Sequence, residues 1–364
     1  MRRRQGKVNR WVLTALAVLS VLAFWLESRT QRPRQARWFD EKLASAQLSA
    51  RALTALGQLR ARLGIPIDTV NDPNRTGLIG TQFSLVTHGR ADLSDALTTT
   101  NPNFSAALVE MLKRAGVRRG DSVAVDWDGT FPALNVQVLA TCQVLGLEPV
   151  IVTTMSSGMW GADLPGMLWL DSEQELRRAG LWRFRSRLAT LGGATDDGAG
   201  LSPEGRGLLA NAAESAGVEL FVPTTMTEAV ARREELYGRS RVLVVVGRPA
   251  VAFADPTLRV RSGLLRRSLP RMGKEGLVPR ALGRGMRVVY LSDPTQVAAQ
   301  FRLPIAPEPL PEPGRGRLFF ERRHSVGLAV LLLAVLLGLL FVVIRYDVES
   351  YLGVRTSAAE EEAV

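Results

Sequence analysis

The sequence has very little cysteine and histidine. Cys142 is the single cysteine among 364 residues, so no disulfide can form within the chain. The two histidines are His88 and His324, and together with one cysteine they cannot supply the four ligands of a Cys/His zinc site. We therefore predict no metal site of this kind and assign the chain no cofactor.

Lysine is also scarce, although the chain is strongly basic. The four lysines are Lys7, Lys42, Lys113 and Lys274, whereas lysine and arginine together number 46 against 35 acidic residues. The formal net charge is +11, and arginine carries almost all of the excess. Such a balance indicates an anionic partner or an anionic surface, and says nothing about the fold.

Two apolar runs are long enough to suggest membrane segments. Residues 11–26 contain no charge and follow a basic tail, residues 1–10. Small residues at a cleavage spacing are missing after this run, so a retained signal anchor is favoured over a cleaved signal peptide. Residues 325–344 form a second uncharged run, about the 20 residues needed to cross a hydrocarbon core, and are followed by a tail, residues 345–364.

These runs predict a two-pass protein of the cytoplasmic membrane. The arginines flanking the second run, taken alone, favour a cytoplasmic central region. The five cations of the N-terminal tail are difficult to translocate, however, and the first helix usually dominates orientation. We therefore expect both termini in the cytoplasm and the central domain, residues 27–324, outside it.

Two segments next to these runs are predicted to hold the domain away from the membrane. Residues 39–63 have apolar side chains at helical spacing, which predicts an amphipathic stalk helix. Its apolar stripe can pack on the main domain or on a second copy of the chain, so a homo-oligomer stays open. Residues 304–317 are rich in proline and are predicted to form an extended tether.

Residues 77–303 alternate between strand and helix signals. Short apolar runs predict strands at 122–125, 150–153, 219–222, 241–246 and 286–291, and periodic segments predict helices at 104–114, 132–145 and 203–216. Strands separated by helices favour right-handed crossovers. The predicted fold class is α/β, a mostly parallel sheet with helices on both faces, anchored by N- and C-terminal transmembrane helices.

The stretch VAVDWDGTFPALN resembles the D-x-D-G-T motif of haloacid-dehalogenase-type phosphatases, in which Asp126 would be the nucleophile and Asp128 the acid/base. Those enzymes also need a lysine and a later acidic pair for magnesium. Here the acidic pair at 196–197 precedes the downstream Lys274, so the order is wrong. We favour a strand-to-helix turn in which Thr130 or Asp128 caps the helix.

A loop at the carboxyl end of a parallel strand, followed by a helix N-terminus, is where an α/β sheet tends to bind an anion. We assign Thr130, Phe131, Asn135 and Trp160 to such a ligand loop. His88 lies near several serines and aspartates in the sequence and joins Asp126 and Asp128 as a low-ranked catalytic candidate. The stretch GGATDDGAG, residues 192–200, is predicted to be a mobile loop.

A basic stretch, residues 259–287, contains nine lysines or arginines and one glutamate. Arginine pairs bidentately with carboxylate, so this stretch can form a track for a polycarboxylate. The alternative is a solvated surface or one that lies on anionic lipid headgroups. Nucleic acid is disfavoured because aromatic residues are not interleaved with the cations. The polyanion-binding candidates are Arg259, Arg261, Arg266, Arg267, Arg271 and Lys274.

Eight short motifs follow one another across most of the central region, and together they resemble those of the poly-gamma-glutamate system protein family of membrane proteins. They are GLIG at 77–80, TTNPNF at 99–104, FPALN at 131–135, GLEPVIVT at 146–153, WGAD at 160–163, WLD at 169–171, GLSPEGR at 200–206 and LPIAPEPLPEPG at 303–314.

The resemblance implies an accessory membrane component of poly-γ-glutamate synthesis and export. Its implied partners are synthase and export subunits, the membrane, and the anionic polymer or anionic lipid. It carries over no catalytic residue, so the alternative is a hydrolase or phosphohydrolase that uses Asp126. The family's glycine-rich loop is reduced here to Gly247-Arg248-Pro249, and we assign that loop no ligand role.

Overall fold

The structure is a computed structural model that describes residues 10–30, 32–255, 257–268, 270–323 and 326–345. The chain divides into two compact units, residues 36–319 and the two terminal segments 1–35 and 320–364. Of the predicted tails, residues 1–9 and 346–364 lie outside the described residues.

The elements of the described residues follow here in chain order. The strands are β1 Arg32–Gln35, β2 Ser122–Trp127, β3 Glu148–Thr154, β4 Ser186–Thr190, β5 Gly192–Gly193, β6 Asp197–Ala199, β7 Glu219–Leu220, β8 Val242–Val246, β9 Gly263–Leu265, β10 Arg287–Leu291 and β11 Phe320–Arg323. The α-helices are α1 Arg10–Arg29, α2 Phe39–Arg62, α3 Leu93–Thr99, α4 Phe104–Ala115, α5 Pro132–Leu145, α6 Trp169–Arg178, α7 Pro203–Ala216, α8 Met226–Tyr237, α9 Leu277–Gly283, α10 Pro294–Phe301 and α11 Val326–Arg345.

The unit of residues 36–319 contains a seven-stranded sheet in the order β7-β4-β3-β2-β8-β10-β9. Every neighbouring pair is parallel except β10 with the edge strand β9. One hydrophobic core lies between the sheet and helices that include α4, α5, α6 and α7, and a second lies between the opposite face and helices α8 and α9. The prediction of an α/β fold with a mostly parallel, doubly covered sheet is confirmed.

Local sequence signals place the elements of this sheet. Helix α5 has Pro132 in its first turn and ends at Gly146, whose φ of 64° suits a glycine C-cap. Helix α7 also has a proline, Pro203, in its first turn, and in addition its N-cap Ser202 side chain accepts a hydrogen bond from the Gly205 N–H. Strand β8 reads VLVVV and is buried along its whole length, as expected of a central parallel strand.

The predicted stalk is part of this unit. Helix α2 packs against α4 and α5, and Ala46, Ala52 and Leu56 on its inner face are almost fully buried. Lys42 is also buried, with its Nζ donating to Glu110 Oε2 at 2.8 Å and to the Leu318 carbonyl at 3.0 Å. The apolar stripe was identified correctly, but its partner is the domain itself, so the stalk assignment is wrong.

The proline-rich segment is not a free tether either. Its backbone is hydrogen-bonded to the domain: Asn74 Nδ2 donates to the Pro307 carbonyl at 2.7 Å, and Asn103 Nδ2 donates to the Glu312 carbonyl at 2.9 Å. The Gly314 N–H donates to Asn103 Oδ1 at 2.9 Å. Proline has no N–H, so a proline-rich segment cannot pair as a regular β-strand and leaves carbonyl groups without backbone partners. Here asparagine side chains from the domain donate to two of these carbonyls.

The terminal unit contains α1, α11 and an antiparallel ribbon of β1 with β11. Among the described residues, α11 is long and apolar enough to cross a membrane, with a mean hydropathy of 3.2 over its most apolar window. No second helix qualifies as a candidate span among the described residues, so the predicted two-helix anchoring is not confirmed.

Candidate functional site

The order of the strands places a topological switch point between β2 and β8. From β2 the chain continues through β3, β4 and β7 towards one edge, and β8 and β10 then extend the sheet on the other side of β2. In open α/β sheets, ligands bind outside the carboxyl ends of the strands at such a point. Asp128, directly after β2, and Gly247, directly after β8, lie there.

Asp128 connects the two loops at the switch point. Its Oδ1 accepts a hydrogen bond from the Thr130 N–H at 2.8 Å, and its Oδ2 accepts one from the Arg248 N–H at 2.9 Å. Gly247 has a φ of 80°, and a Cβ there would lie 2.1 Å from Asp128 Oδ1, so the contact requires glycine. Burial raises the pKa of Asp128 to about 6. This carboxyl group therefore changes charge in mildly acidic solution.

A cavity of about 470 Å³ lies at this carboxyl edge. Its lining includes the cationic side chains of Arg90, Arg248 and Arg259, the carboxyl groups of Asp92, Asp95, Asp128 and Asp255, and also His88, Thr130, Phe131, Phe253, Tyr290 and Ser292. The volume is that of an ordinary ligand pocket. Because both signs of charge and two phenylalanine rings line it, the cavity suits an organic ligand that carries charged groups as well as an apolar part.

His88 and Asp95 lie in this lining without forming a triad. The backbone N–H of His88 donates to the Ser157 carbonyl at 2.6 Å, and burial lowers the pKa of the His88 imidazole. Asp95 accepts a hydrogen bond from the Thr295 N–H at 2.9 Å, and burial raises the pKa of its carboxyl group. Ser84, one of the serines near His88 in the sequence, has its hydroxyl within 3.1 Å of the Thr87 hydroxyl instead.

The predicted ligand loop is brought only partly to the cavity. Thr130 and Phe131 line it. Asn135 is fully buried and donates from Nδ2 to the Asp128 carbonyl at 3.0 Å, so it supports the loop rather than facing a ligand. Trp160 does not line the cavity; its backbone exchanges hydrogen bonds with the chain at residues 80–81.

The predicted helix cap after the D-x-D-G-T stretch is wrong. Phe131 occupies the N-cap position of α5 and provides no side-chain hydrogen bond. Asp128 closes a turn on Thr130 instead, and the Thr130 hydroxyl accepts a hydrogen bond from the Gly158 N–H at 2.9 Å. The interpretation of this stretch as a turn agrees with the geometry, although the turn is closed differently.

Asp126 is separated from the cavity and belongs to a buried ion-pair network. Its Oδ2 accepts hydrogen bonds from Arg233 Nε at 2.6 Å and from the Tyr237 hydroxyl at 2.7 Å, both on α8. Arg233 and Asp126 are 0% exposed. A nucleophilic aspartate must reach its substrate, and this carboxylate is committed to an arginine on the opposite side of the sheet from α5. The geometry therefore gives no support to a phosphohydrolase that uses Asp126.

The stretch GGATDDGAG is held by the same network. Asp196, fully buried, accepts a hydrogen bond from Arg233 Nη1 at 2.7 Å and another from the Thr190 hydroxyl at 2.8 Å. Strands β5 and β6 pair within the stretch. The predicted mobile loop is therefore anchored at its centre. Among the described residues, no cluster of histidine, cysteine, aspartate and glutamate could hold a metal ion.

The structure divides the predicted polyanion track between opposite edges of the sheet. Arg259 and Arg261 precede β9, and Arg259 lines the cavity at the carboxyl edge. Because β9 runs antiparallel to β10, with Leu265 opposite Val288, Arg266 and Arg267 emerge at the amino edge. Lys274 follows in the segment before α9, and the side chain of Arg271 lies outside the described residues.

Several lining residues carried no recognisable sequence signal. Arg90, Arg248 and Tyr290 come from three separate segments that only the fold brings together. The Gly247-Arg248-Pro249 loop, to which we assigned no role, forms one wall of the cavity. Its position directly after an apolar strand was the usable signal, because loops after parallel strands meet at one edge of the sheet.

Comparison with known proteins adds no relative: no protein-family model matches the chain, and no curated protein matches it. The resemblance to the poly-gamma-glutamate system proteins stays a prediction.

Proposed function

We propose that this chain is an accessory membrane component of a poly-γ-glutamate synthesis and export system, and that its α/β domain binds partner subunits and the anionic polymer. The observation that carries the polymer-binding proposal is the cavity at the switch point, where Arg90, Arg248 and Arg259 are exposed around one opening. Every γ-linked glutamate unit carries a free α-carboxylate, and arginine binds carboxylate through two parallel hydrogen bonds.

The acidic residues of the cavity fit the same ligand. Asp92 and Asp255 are exposed in the lining, where they can meet the ammonium group at the amino end of a polymer chain. The carboxyl groups of Asp128 and Asp95 accept hydrogen bonds from backbone N–H groups and form part of the cavity wall. A ligand that presents several carboxylates and one ammonium therefore matches both signs of the lining.

The membrane anchor in this proposal uses α1 as well as α11. Leucine, valine and aromatic side chains of α1 between Leu13 and Leu26 are exposed, with Phe24 at 71% and Val21 at 67%. Exposed apolar side chains along a whole helix favour a lipid environment. We propose a two-pass arrangement of the cytoplasmic membrane in which both termini are cytoplasmic and the α/β domain lies outside.

The first experiment tests the pathway. A tag on this chain is used to purify the intact membrane complex, and the proteins that accompany it are identified by mass spectrometry. Recovery of a poly-γ-glutamate ligase together with a multispanning partner is the expected result. Recovery of the chain alone under conditions that preserve other membrane complexes would contradict the accessory role.

A second experiment tests the cavity. Binding of poly-γ-glutamate of defined length to the full chain in nanodiscs is measured by titration calorimetry. Removal of a charge-assisted hydrogen bond weakens binding by roughly tenfold, so the variant with Arg90→Gln, Arg248→Gln and Arg259→Gln should lose most of its affinity. The matched control replaces Arg261, Arg266 and Arg267 with Gln. If the control loses affinity and the cavity variant does not, the polymer binds elsewhere.

A further inference from the structure

The amino edge of the sheet, opposite the cavity, carries a cluster of exposed arginines. Four lie at or just before β8 and β10, and two follow the antiparallel strand β9. We refer to these six as the amino-edge arginines: Arg239, Arg241, Arg266, Arg267, Arg284 and Arg287. All six are exposed. They come from three loops, so this cluster exists only in the folded domain.

Four of these arginines surround a second cavity. Arg239, Arg241, Arg284 and Arg287 line a space of about 520 Å³ together with the end of α4 and the start of β2. Arg287 Nη1 donates to the carbonyl of Arg114 at 3.4 Å, which joins β10 to the end of α4. Since strands of five or six residues span roughly 17–20 Å, this cavity and the carboxyl-edge cavity lie on opposite ends of the sheet.

Few carboxylates compensate this charge. In the described part of the chain, one of the six arginines forms an ion pair: Arg284 contacts Glu234 at 2.6 Å. Among the lining residues four arginines stand against one carboxylate, Asp121, whose Oδ2 accepts a hydrogen bond from the Arg118 N–H at 2.8 Å. Two more exposed arginines, Arg118 and Arg119, precede β2 at the same edge. The edge is therefore a positively charged surface.

The chain also leaves the domain at this edge. The Ala36 N–H donates to the Phe319 carbonyl at 2.8 Å, so the two crossings to the terminal segments lie side by side. Glu41 and Lys113, at 3.2 Å, join the start of α2 to the last turn of α4, and the residues that follow α4 line the arginine cavity. The positively charged edge is thus close to Ala36 and Phe319, the residues at which the chain enters and leaves the domain.

We propose that the amino-edge arginines bind the anionic headgroups of the bilayer that holds α11, so that the carboxyl-edge cavity opens away from the membrane. Arginine forms bidentate hydrogen bonds with phosphate oxygens, and basic residues near an anionic bilayer are attracted to it within about a Debye length. This proposal needs α11 as a membrane span but does not depend on the ligand of the cavity.

The test measures hydrogen–deuterium exchange of the full chain in nanodiscs of phosphatidylcholine, with and without phosphatidylglycerol. With the anionic lipid, exchange should slow in the amino-edge segments 116–121, 238–241 and 284–287. The carboxyl-edge segments 88–92 and 248–255 should be unchanged and serve as an internal control. Moderately raised salt should remove the difference, because it screens exposed charges.

Variants separate lipid binding from a general effect of charge. Arg239→Gln, Arg241→Gln and Arg287→Gln together should abolish the lipid-dependent protection, since each basic residue strengthens attachment by about fivefold. The matched control removes three exposed arginines elsewhere, Arg51, Arg62 and Arg75, and should retain the protection. Equal exchange in both lipids would overturn the proposal. So would protection of the same segments by added poly-γ-glutamate in phosphatidylcholine alone, because the edge would then be a polymer site.

Discussion

At the residue scale, one buried arginine of the domain is shared by two carboxylates. Arg233 contacts Asp126 through Nε and Asp196 through Nη1, and its Nη2 donates to the hydroxyls of Thr154 and Thr190. Four segments of the chain are therefore joined at one guanidinium. Charges removed from water are tolerated only when their hydrogen bonds are satisfied, and here all three guanidinium nitrogens have acceptors.

This network gives a stability prediction with a neighbouring control. Arg233→Met should lower the free energy of unfolding by about 3–5 kcal/mol, because it leaves Asp126 and Asp196 buried without a counter-charge. Arg232→Met removes the adjacent arginine, which forms surface ion pairs with Glu219 and Glu235, and should leave stability nearly unchanged. Urea unfolding of the full chain in detergent, followed by tryptophan fluorescence, gives both values. Similar losses for the two variants would show that the network contributes little.

The sequence could locate these residues without showing what they do. The apolar run before Asp126 predicts a strand end, and the glycine and threonine after Asp128 predict a turn. The partner of Asp126 lies 107 residues away on a helix with no distinguishing pattern, so the ion pair could not be foreseen. Side-chain pairing across such separations depends on strand order, which the periodicity of a sequence does not encode.

At the scale of elements, α2 shows why a correct helix can receive a wrong role. Its apolar stripe has the spacing expected of an amphipathic helix, and that spacing is the same whether the partner is another copy or the domain. The burial of Lys42 and Arg60 decides the matter, because a stalk would leave both in water. Arg60 donates from Nη1 to the Ile79 carbonyl at 2.6 Å and from Nη2 to the Pro66 carbonyl at 2.7 Å.

Two leucines of this segment test the assignment. Leu56 is 1% exposed, so Leu56→Ala should lower the free energy of unfolding by about 2–5 kcal/mol through lost burial and a residual cavity. Leu63, at the end of the same helix, is 46% exposed, and Leu63→Ala should change stability by less than about 0.5 kcal/mol. Denaturant midpoints of the two variants check this. If Leu56→Ala is as mild as Leu63→Ala, the helix is not part of the folded core.

The contact between α6 and β4 predicts a dependence on pH. Glu173 is buried, its Oε1 accepts the Ser186 N–H at 2.7 Å and its Oε2 accepts the Ser186 hydroxyl at 2.8 Å. Burial raises the pKa of Glu173 from its ordinary value of 4.5 to about 7. Between these two values the folded protein keeps a proton that the unfolded chain releases, so this group makes the free energy of unfolding fall as pH rises.

Glu173→Gln should remove that part of the pH dependence. Glutamine can accept the Ser186 N–H and donate to the serine hydroxyl, so the contact survives without an ionisable group. Between pH 5 and pH 8, the free energy of unfolding of the unsubstituted protein should fall by about 2–3 kcal/mol more than that of the variant. Unfolding measured at both pH values for both proteins isolates the effect, since other titrating groups contribute equally. An unchanged difference between the two pH values would mean that Glu173 is already ionised when folded.

At the scale of the whole molecule, the two edges of the sheet separate two chemistries that the sequence presents as one basic stretch. Residues 259–287 pass from the carboxyl edge to the amino edge through β9, and after α9 they are again at the amino edge, at Arg284 and Arg287. Arg259 therefore belongs to a cavity with both signs of charge, and Arg287 to an edge that is positively charged. Net charge predicts that an anion binds somewhere, whereas strand direction decides which arginines act together.

The orientation of the chain across the membrane gives the last prediction. Thr195 is exposed near the carboxyl edge of the domain, so Thr195→Cys should react with a membrane-impermeant maleimide in intact cells if the domain is extracytoplasmic. The native thiol does not interfere, because Cys142 is fully buried and burial raises its pKa to about 12. The unsubstituted protein is therefore a natural negative control. Labelling of the variant only after permeabilisation would place the domain in the cytoplasm, where an exported polymer could reach the cavity only before its export.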